Sequence, residues 1–125
     1  MMLLSVSLLY TDFKLLKAIV TNKKSYESAL KVMNQAIEIL PQNPAGYNDR
    51  AQIERILRRD DDALVSLDKA ITLSNGLGTV AAQAYTQRAL MKKYANLTED
   101  AASDFQAAAK LGERAIIVLR VIIAL

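Results

Sequence analysis

The side chains that most often carry chemistry are missing from this sequence or stand in the wrong company. There is no Cys and no His. Thiolate nucleophiles, disulfides, thiolate or imidazole metal sites and every triad built on a histidine base are thereby excluded. Three short patterns remain to be weighed. Gly76-Leu77-Gly78-Thr79-Val80-Ala81 satisfies the loose G-x-G-x-x-A form of a dinucleotide fingerprint. It follows a helical stretch and no βαβ unit surrounds it, so it reads as a turn. Asn96-Leu97-Thr98 fits a glycosylation sequon and reads as a turn and helix cap. Asp60-Asp61-Asp62 lacks the Gly and distal Glu of a calcium loop, and its carboxylates suit a positive helix N-terminus. Arg50 and Arg88 each follow a tyrosine by three residues. Their stems are expected to pack while the guanidinium groups pair with Asp or Glu on an adjoining helix. No paired acid and base emerges, so the expectation is a protein without catalysis or cofactor.

The wider composition sets the frame. A chain of 125 residues with 52% hydrophobic and 23% charged residues can fill one core, but not two ordinary domains. Four Gly, two Pro and no Trp favour helices over a turn-rich sheet. The net charge of +3 is spread in mixed-sign clusters such as Arg58-Arg59 before Asp60-Asp61-Asp62. Nucleic-acid binding would need an uncompensated basic face, and helical-repeat RNA reading is opposed by Asp49 and Glu54. Met1 to Leu9 is apolar but has neither a basic start nor a small-x-small cleavage site. Ala115 to Leu125 is too short for a membrane span and carries Arg120. A soluble, cytoplasmic protein is expected.

The elements that must position any site come from an internal repeat. A shift of 34 residues places Ala29 on Ala63, Leu30 on Leu64, Ala36 on Ala70 and Ile37 on Ile71. A further shift of 38 places Tyr47 on Tyr85, Arg50 on Arg88, Ala51 on Ala89, Ala63 on Ala101, Leu67 on Phe105 and Ala70 on Ala108. The four extra residues fit an insertion around Asn75 to Gly78. Each unit reads as two helices joined by a turn. The segment Ser25 to Leu40 has apolar residues at three- and four-residue steps, Ser25 as N-cap and Pro41 as stop. Pro44 suits the first turn of the next helix. Ile53, Ile56 and Leu57 are expected to face inward before a turn at Arg58-Arg59, and the third unit turns at Asn96 to Thr98. Small alanines recur where helices cross closely, with Phe13, Tyr47 and Tyr85 filling the space beside them. One pair cannot bury its apolar face alone; stacked pairs share a core.

The pattern Tyr47…Ala51…Ala63…Leu67…Ala70, repeated as Tyr85…Ala89…Ala101…Phe105…Ala108, resembles the tetratricopeptide repeat. Phe13…Ala29…Met33…Ala36…Pro41 is a weaker first copy, with Lys17 in a small-residue column. The resemblance implies an all-α helical solenoid of about three antiparallel helix pairs plus an apolar C-terminal helix. It predicts one domain over 1–125, with repeats at about 10–43, 44–77 and 82–115 and a last helix at 113–125. Ala45 to Gln52, Ala70 to Ser74 with the Gly-containing insertion, Gln87 to Leu90 and Asp104 to Gly112 are similar to the protein 36 family within that group. That family carries a longer acidic N-terminal region and an N-P-Y-A-A segment, where this chain has Ile116 to Leu125. A truncated or alternatively spliced form is the expectation.

Such a stack presents a concave groove lined by the first helix of each pair. Here its candidate partner-binding residues are Lys14, Asn48, Asp49, Gln52, Arg55, Gln83, Thr86, Gln87 and Lys93. The implied function is a scaffold or adaptor that binds another protein or a peptide segment. Relatives in the wider group grip an acidic chaperone tail with Lys, Asn, Asn, Lys and Arg. The matching positions here are Lys14, Ala18, Asp49, Gln83 and Gln87, of which only Lys14 fits, and Asp49 would repel a carboxylate. Resemblance to the protein 36 family implies an association with heat-shock chaperones and a link to tyrosine catabolism, by a mode other than this clamp. The tail, rich in Ile and Leu, is expected to cap the third repeat imperfectly and to stay open to weak self-association.

Overall fold

The computed structural model describes residues 22–124, and of 115–119 the backbone alone. Five helices account for nearly all of it, with no strand among the described residues. They are α1 (22–39), α2 (Pro44–Ile56), α3 (Asp60–Leu73), α4 (Gly78–Tyr94) and α5 (Thr98–Ala124). Consecutive helices pack as antiparallel neighbours: α2 against α3, α4 against α5, and α3 against α4. In addition α2 lies beside α4. That last contact builds a face from the first helix of each pair, as an all-α repeat solenoid requires. The expected first helix of the first pair, with Phe13, Lys14, Lys17 and Ala18, falls outside the described residues.

Local chemistry accounts for the helix ends. Asn43 caps α2 by accepting from the Ala45 amide at 3.2 Å, and Pro44 occupies the first helical position, where its missing N–H costs nothing. The acidic triplet Asp60-Asp61-Asp62 fills the first turn of α3, where no side chain caps. Three helices close in the same way. Arg58, Asn75 and Asn96 all adopt left-handed backbone, at φ 62°, 57° and 63°. The next amide reaches back to the helix in each case: Arg59 to the Glu54 carbonyl at 2.8 Å, Gly76 to Ile71 at 2.9 Å and Leu97 to Lys92 at 2.9 Å. This is the Schellman closure, in which orphan carbonyls of the last turn are satisfied by amides beyond the helix.

Most of the alanine columns lie where the repeat register puts them. Ala51, Ala63, Ala70 and Ala89 are fully buried and Ala101 is nearly so. Ala51, Ala63 and Ala70, with Ala84, share one core cluster with Leu67, Ile37 and Tyr47, and Met33, Ile71, Leu73, Val80 and Met91 pack alongside. Full burial of a side chain such as Leu67 stabilises by about 1.5–3 kcal/mol. At Gly46 helix α2 comes close to α1, since a Cβ there would stand 3.3 Å from Ile37 Cγ1.

Several expectations are corrected. Ser25 is not an N-cap, because the chain is already helical from residue 22 and Lys23 and Lys24 offer no reason to break it. Ala36 is exposed, unlike its equivalent Ala70, and nothing in the described residues explains the difference. Ile56 faces out at 52% exposure, because it ends α2 just before the turn. Phe105 is 37% exposed where its equivalent Leu67 is fully buried, as no further described helix covers α5. The third repeat's first helix starts at Gly78 rather than 82. The connections at 40–43 and 74–77 are both four residues long, whereas α4 has 17 residues against 13 in α2. The four-residue insertion is therefore an extra helical turn, not a longer loop. Finally, α5 runs unbroken for 27 residues, so the apolar tail continues the third pair's second helix. One Gly costs about 1 kcal/mol inside a helix, and Gly112 has no left-handed residue or Pro after it to stop the chain.

Candidate functional site

The face shared by α2 and α4 is polar and internally bonded. Asn48 is buried at its centre, with 2% exposure. Its Nδ2 donates to Gln83 Oε1 at 3.0 Å, and its Oδ1 accepts from Gln87 Nε2 at 2.8 Å. Arg55 Nη1 then donates to Gln87 Oε1 at 3.4 Å. Side chains from two repeats thus form a chain of amide groups across the helix seam. It satisfies the groups it buries; among the described residues no buried side-chain polar atom lacks a partner. Around this floor Asp49, Gln52, Gln83, Thr86 and Lys93 are exposed. Thr86 Oγ1 donates to the Ala82 carbonyl at 2.9 Å, which leaves its oxygen free only as an acceptor. The structure therefore brings Asn48, Gln83, Gln87 and Arg55 into one network and sets the other candidates about it. Lys14 lies outside the described residues.

Arg50 and Arg88 are occupied by the fold. Arg88 holds Asp104 of α5 through two bonds, Nε at 2.8 Å and Nη2 at 2.7 Å, and Asp68 of α3 through Nη1 at 2.7 Å. Lys92 Nζ adds a third contact to Asp104 at 2.9 Å. Burial disfavours the charged form of Asp104, but bonds from Arg88 and Lys92 outweigh it and hold the carboxyl below its usual range. The Arg88 guanidinium, fixed chiefly by its bond to Asp104, titrates above the ordinary arginine range. Arg50 makes a milder version of the same arrangement. Its Nε donates to Ser66 Oγ at 3.0 Å, Ser66 in turn donates to Glu54 Oε1 at 2.5 Å, and Nη1 reaches Asn34 of α1 at 3.3 Å. Each arginine also lies over its own repeat's tyrosine ring, at 5.2 Å for Arg50 and Tyr47 and 5.5 Å for Arg88 and Tyr85.

Similarity to curated proteins bears on what this framework is. Over 85 residues the chain is 46% identical to tetratricopeptide repeat protein 36 of Danio rerio, covering 68% of this chain and 46% of that protein. Against the protein of that name from Homo sapiens it is 40% identical over 85 residues, or 68% and 45% of the two chains. A homolog of protein 36 from Drosophila melanogaster is 36% identical over 101 residues, or 79% and 54%. The chain belongs to the tetratricopeptide-repeat family. No protein-family model matches it, and no solved structure does. It spans about half the length of the curated relatives it matches.

The tetratricopeptide-repeat array also carries a feature that sequence reasoning missed. An open cleft of about 880 Å³ lies between the α2–α3 turn and the end of α4. Ile56, Leu64, Met91, Tyr94 and Leu97 supply its apolar lining, and Arg55, Arg58, Asp60, Asp61 and Lys92 its charges. Tyr94 is 82% exposed, and it stands 38 residues after Ile56, which is also exposed. A large apolar residue closing the first helix of two successive repeats was the available signal. No described helix is long and apolar enough to cross a membrane.

Proposed function

We propose that this tetratricopeptide-repeat protein is a non-catalytic, cytoplasmic interaction module that takes a peptide segment of a partner protein along the α2/α4 face. The observation that carries this reading is the bridged row Asn48, Gln83, Gln87 and Arg55. Asn48 and Gln87 are buried and bonded at both ends of their amides, while exposed Gln83 is held through its Oε1 and offers its Nε2 as a donor above them. A main-chain peptide group needs such partners, and ordering it against a preformed row costs less entropy than against free side chains. Mixed charges from Asp49, Arg55 and Lys93 then select the partner's side chains rather than supply bulk attraction.

The test is a peptide selected from a random library on the intact chain, with affinity read by fluorescence polarisation. Gln52→Glu should weaken it about fivefold, the loss of one net hydrogen bond, without a lower melting temperature, whereas Gln83→Ala should weaken it and also lower the melting temperature, because Asn48 Nδ2 loses its acceptor. Peptides indifferent to both substitutions would refute the reading. The chaperone-associated form of the adaptor, with its link to tyrosine catabolism, fits less well. Exposed Asp49 sets a like charge where an acidic tail would dock. Such a peptide should bind weakly or not at all; low-micromolar calorimetry that vanishes on Lys14→Ala would show the clamp to be working after all.

A further inference from the structure

Helices in antiparallel order give the array two edges, one at the turns after α1 and α3 and one at the turns after α2 and α4. The first edge is apolar. Ile39 and Leu40 close α1, Leu77 precedes α4, and all three are exposed. Helix α5 runs toward the same edge and past it. Helix α4 has 17 residues and α5 has 27, so α5 draws level with the start of α4 near Arg114 and continues for about ten residues, or roughly 15 Å. In that extension Arg120, Val121, Ile122 and Ile123 are exposed, and among α2 to α4 the helix packs on α4 alone. Six of the twelve exposed large apolar side chains among the described residues thus gather at one edge, which marks it as a contact surface.

We propose that this edge rests on an anionic lipid surface, with the extension of α5 entering the layer between headgroups and acyl chains. Three observations select lipid over another protein. The first is the direction of exposure. Val121, Ile122 and Ile123 stand about 100° apart around the helix, so together they sweep about 200° of its circumference. A single docked helix covers a stripe of roughly 100° and would leave one of them in water. A lipid layer closes around all three. The second is arrangement. Ile39, Leu40 and Leu77 belong to other parts of the chain yet line the edge that α5 crosses, so the apolar groups form a rim rather than a pocket. The third is charge. Within about one turn of the edge and along the extension stand Lys69, Lys110, Arg114 and Arg120, against Glu38 and Glu113. Among the described residues no ion pair engages Arg114 or Arg120. Cβ bonds on a helix lean toward its N-terminus. Arg120, about 9 Å farther along the axis than Arg114, therefore reaches back toward the headgroups while Ile122 and Ile123 go deeper. Basic residues beside apolar ones are what an interfacial helix presents to anionic lipid. No described helix is long and apolar enough to cross a membrane, so the contact is one of lying on the surface.

The experiment floats the full chain with vesicles of phosphatidylcholine alone and of phosphatidylcholine with one-third phosphatidylserine. The chain should float with the anionic vesicles and not with the neutral ones, and less so as salt is raised. Ile123→Glu, at a position 76% exposed, should abolish flotation with unchanged circular dichroism. Arg114→Glu combined with Arg120→Glu should weaken anionic binding by about tenfold or more. The absence of native Trp allows a test of how the helix is covered. Val121→Trp, Ile122→Trp and Ile123→Trp should each shift their emission to the blue on anionic vesicles. A chain that floats with neither vesicle, or equally with both, would overturn the proposal, as would binding that ignores these charge substitutions. So would a blue shift at only one of the three positions, or a dimer in the ultracentrifuge that Ile123→Glu dissociates, either of which puts a protein on this face.

Discussion

Positions 54 and 66 of the second repeat correspond to 92 and 104 of the third, 38 residues on, and their charges are transposed. Glu54 and Ser66 serve Arg50, whereas Lys92 and Asp104 serve Arg88. The carboxylate stands on the arginine's own helix in one repeat and on the opposite helix in the next. Asp104→Ser alone should leave Arg88 and Lys92 facing each other with only the exposed Asp68 nearby, at a cost of about 2–4 kcal/mol. Lys92→Glu alone sets a second carboxylate against the 6%-exposed side chain of Asp104 and should cost about 1–2 kcal/mol. The double substitution rebuilds the second repeat's set around Arg88 and should cost about 1 kcal/mol or less, a coupling of about 2–5 kcal/mol between adjacent sites. Urea unfolding followed by far-ultraviolet circular dichroism measures all four chains. A double variant as unstable as the sum of the two singles would refute the equivalence of the networks.

The same site governs acid behaviour. Asp104 titrates lower in the folded chain than in the unfolded one, so its contribution is complete above about pH 4. It should be lost as the pH falls through the folded value, and the stability gap between the native chain and Asp104→Asn should narrow over that window. Arg58 occupies the left-handed position that Asn96 fills one repeat later; Arg58→Asn or Arg58→Gly should raise stability by about 0.5–1 kcal/mol, and an unchanged denaturation midpoint would show that the turn is unstrained. Ala63→Leu or Ala101→Leu should overpack a helix crossing and cost about 1–3 kcal/mol, while exposed Gln106→Leu should not; equal losses would contradict the packing register.

The second and third repeats were legible because their columns are set by contact. Ala51, Ala63, Ala70 and Ala89 have no room for a larger side chain, and such a constraint recurs wherever the same crossing recurs. Pro44 and Asn96 were readable because each suits one backbone geometry. Arg58 gave no such signal, since the left-handed turn there is imposed by closure of α2 and not preferred by the residue. The start of α4 and the run of α5 past Gly112 were misjudged for a shared reason. Glycine permits a turn without demanding one, and the packing of the flanking helix decides. For the site, residue type and spacing placed Asn48, Gln83 and Gln87 on one face, but not that they bond to one another. That depends on the separation of α2 and α4, a property of the alanines beneath them.

The backward reach of the two arginines sets where the array would come apart. Arg50 ties α2 to α1 through a neutral contact at 3.3 Å, whereas Arg88 ties α4 to α3 through an ionic one at 2.7 Å. Ile71 and Leu73 of α3 and Val80 and Met91 of α4 further pack against the core. In a linear array each interface fails by itself, and the weakest goes first. Unzipping should therefore begin at the α1 end, and the block that survives longest is α2 to α5. That block holds two repeats, so the unit of cooperativity is larger than the unit of duplication. Amide exchange would register it as slow protons in α3 and α4 that release together, after those of α1 have gone.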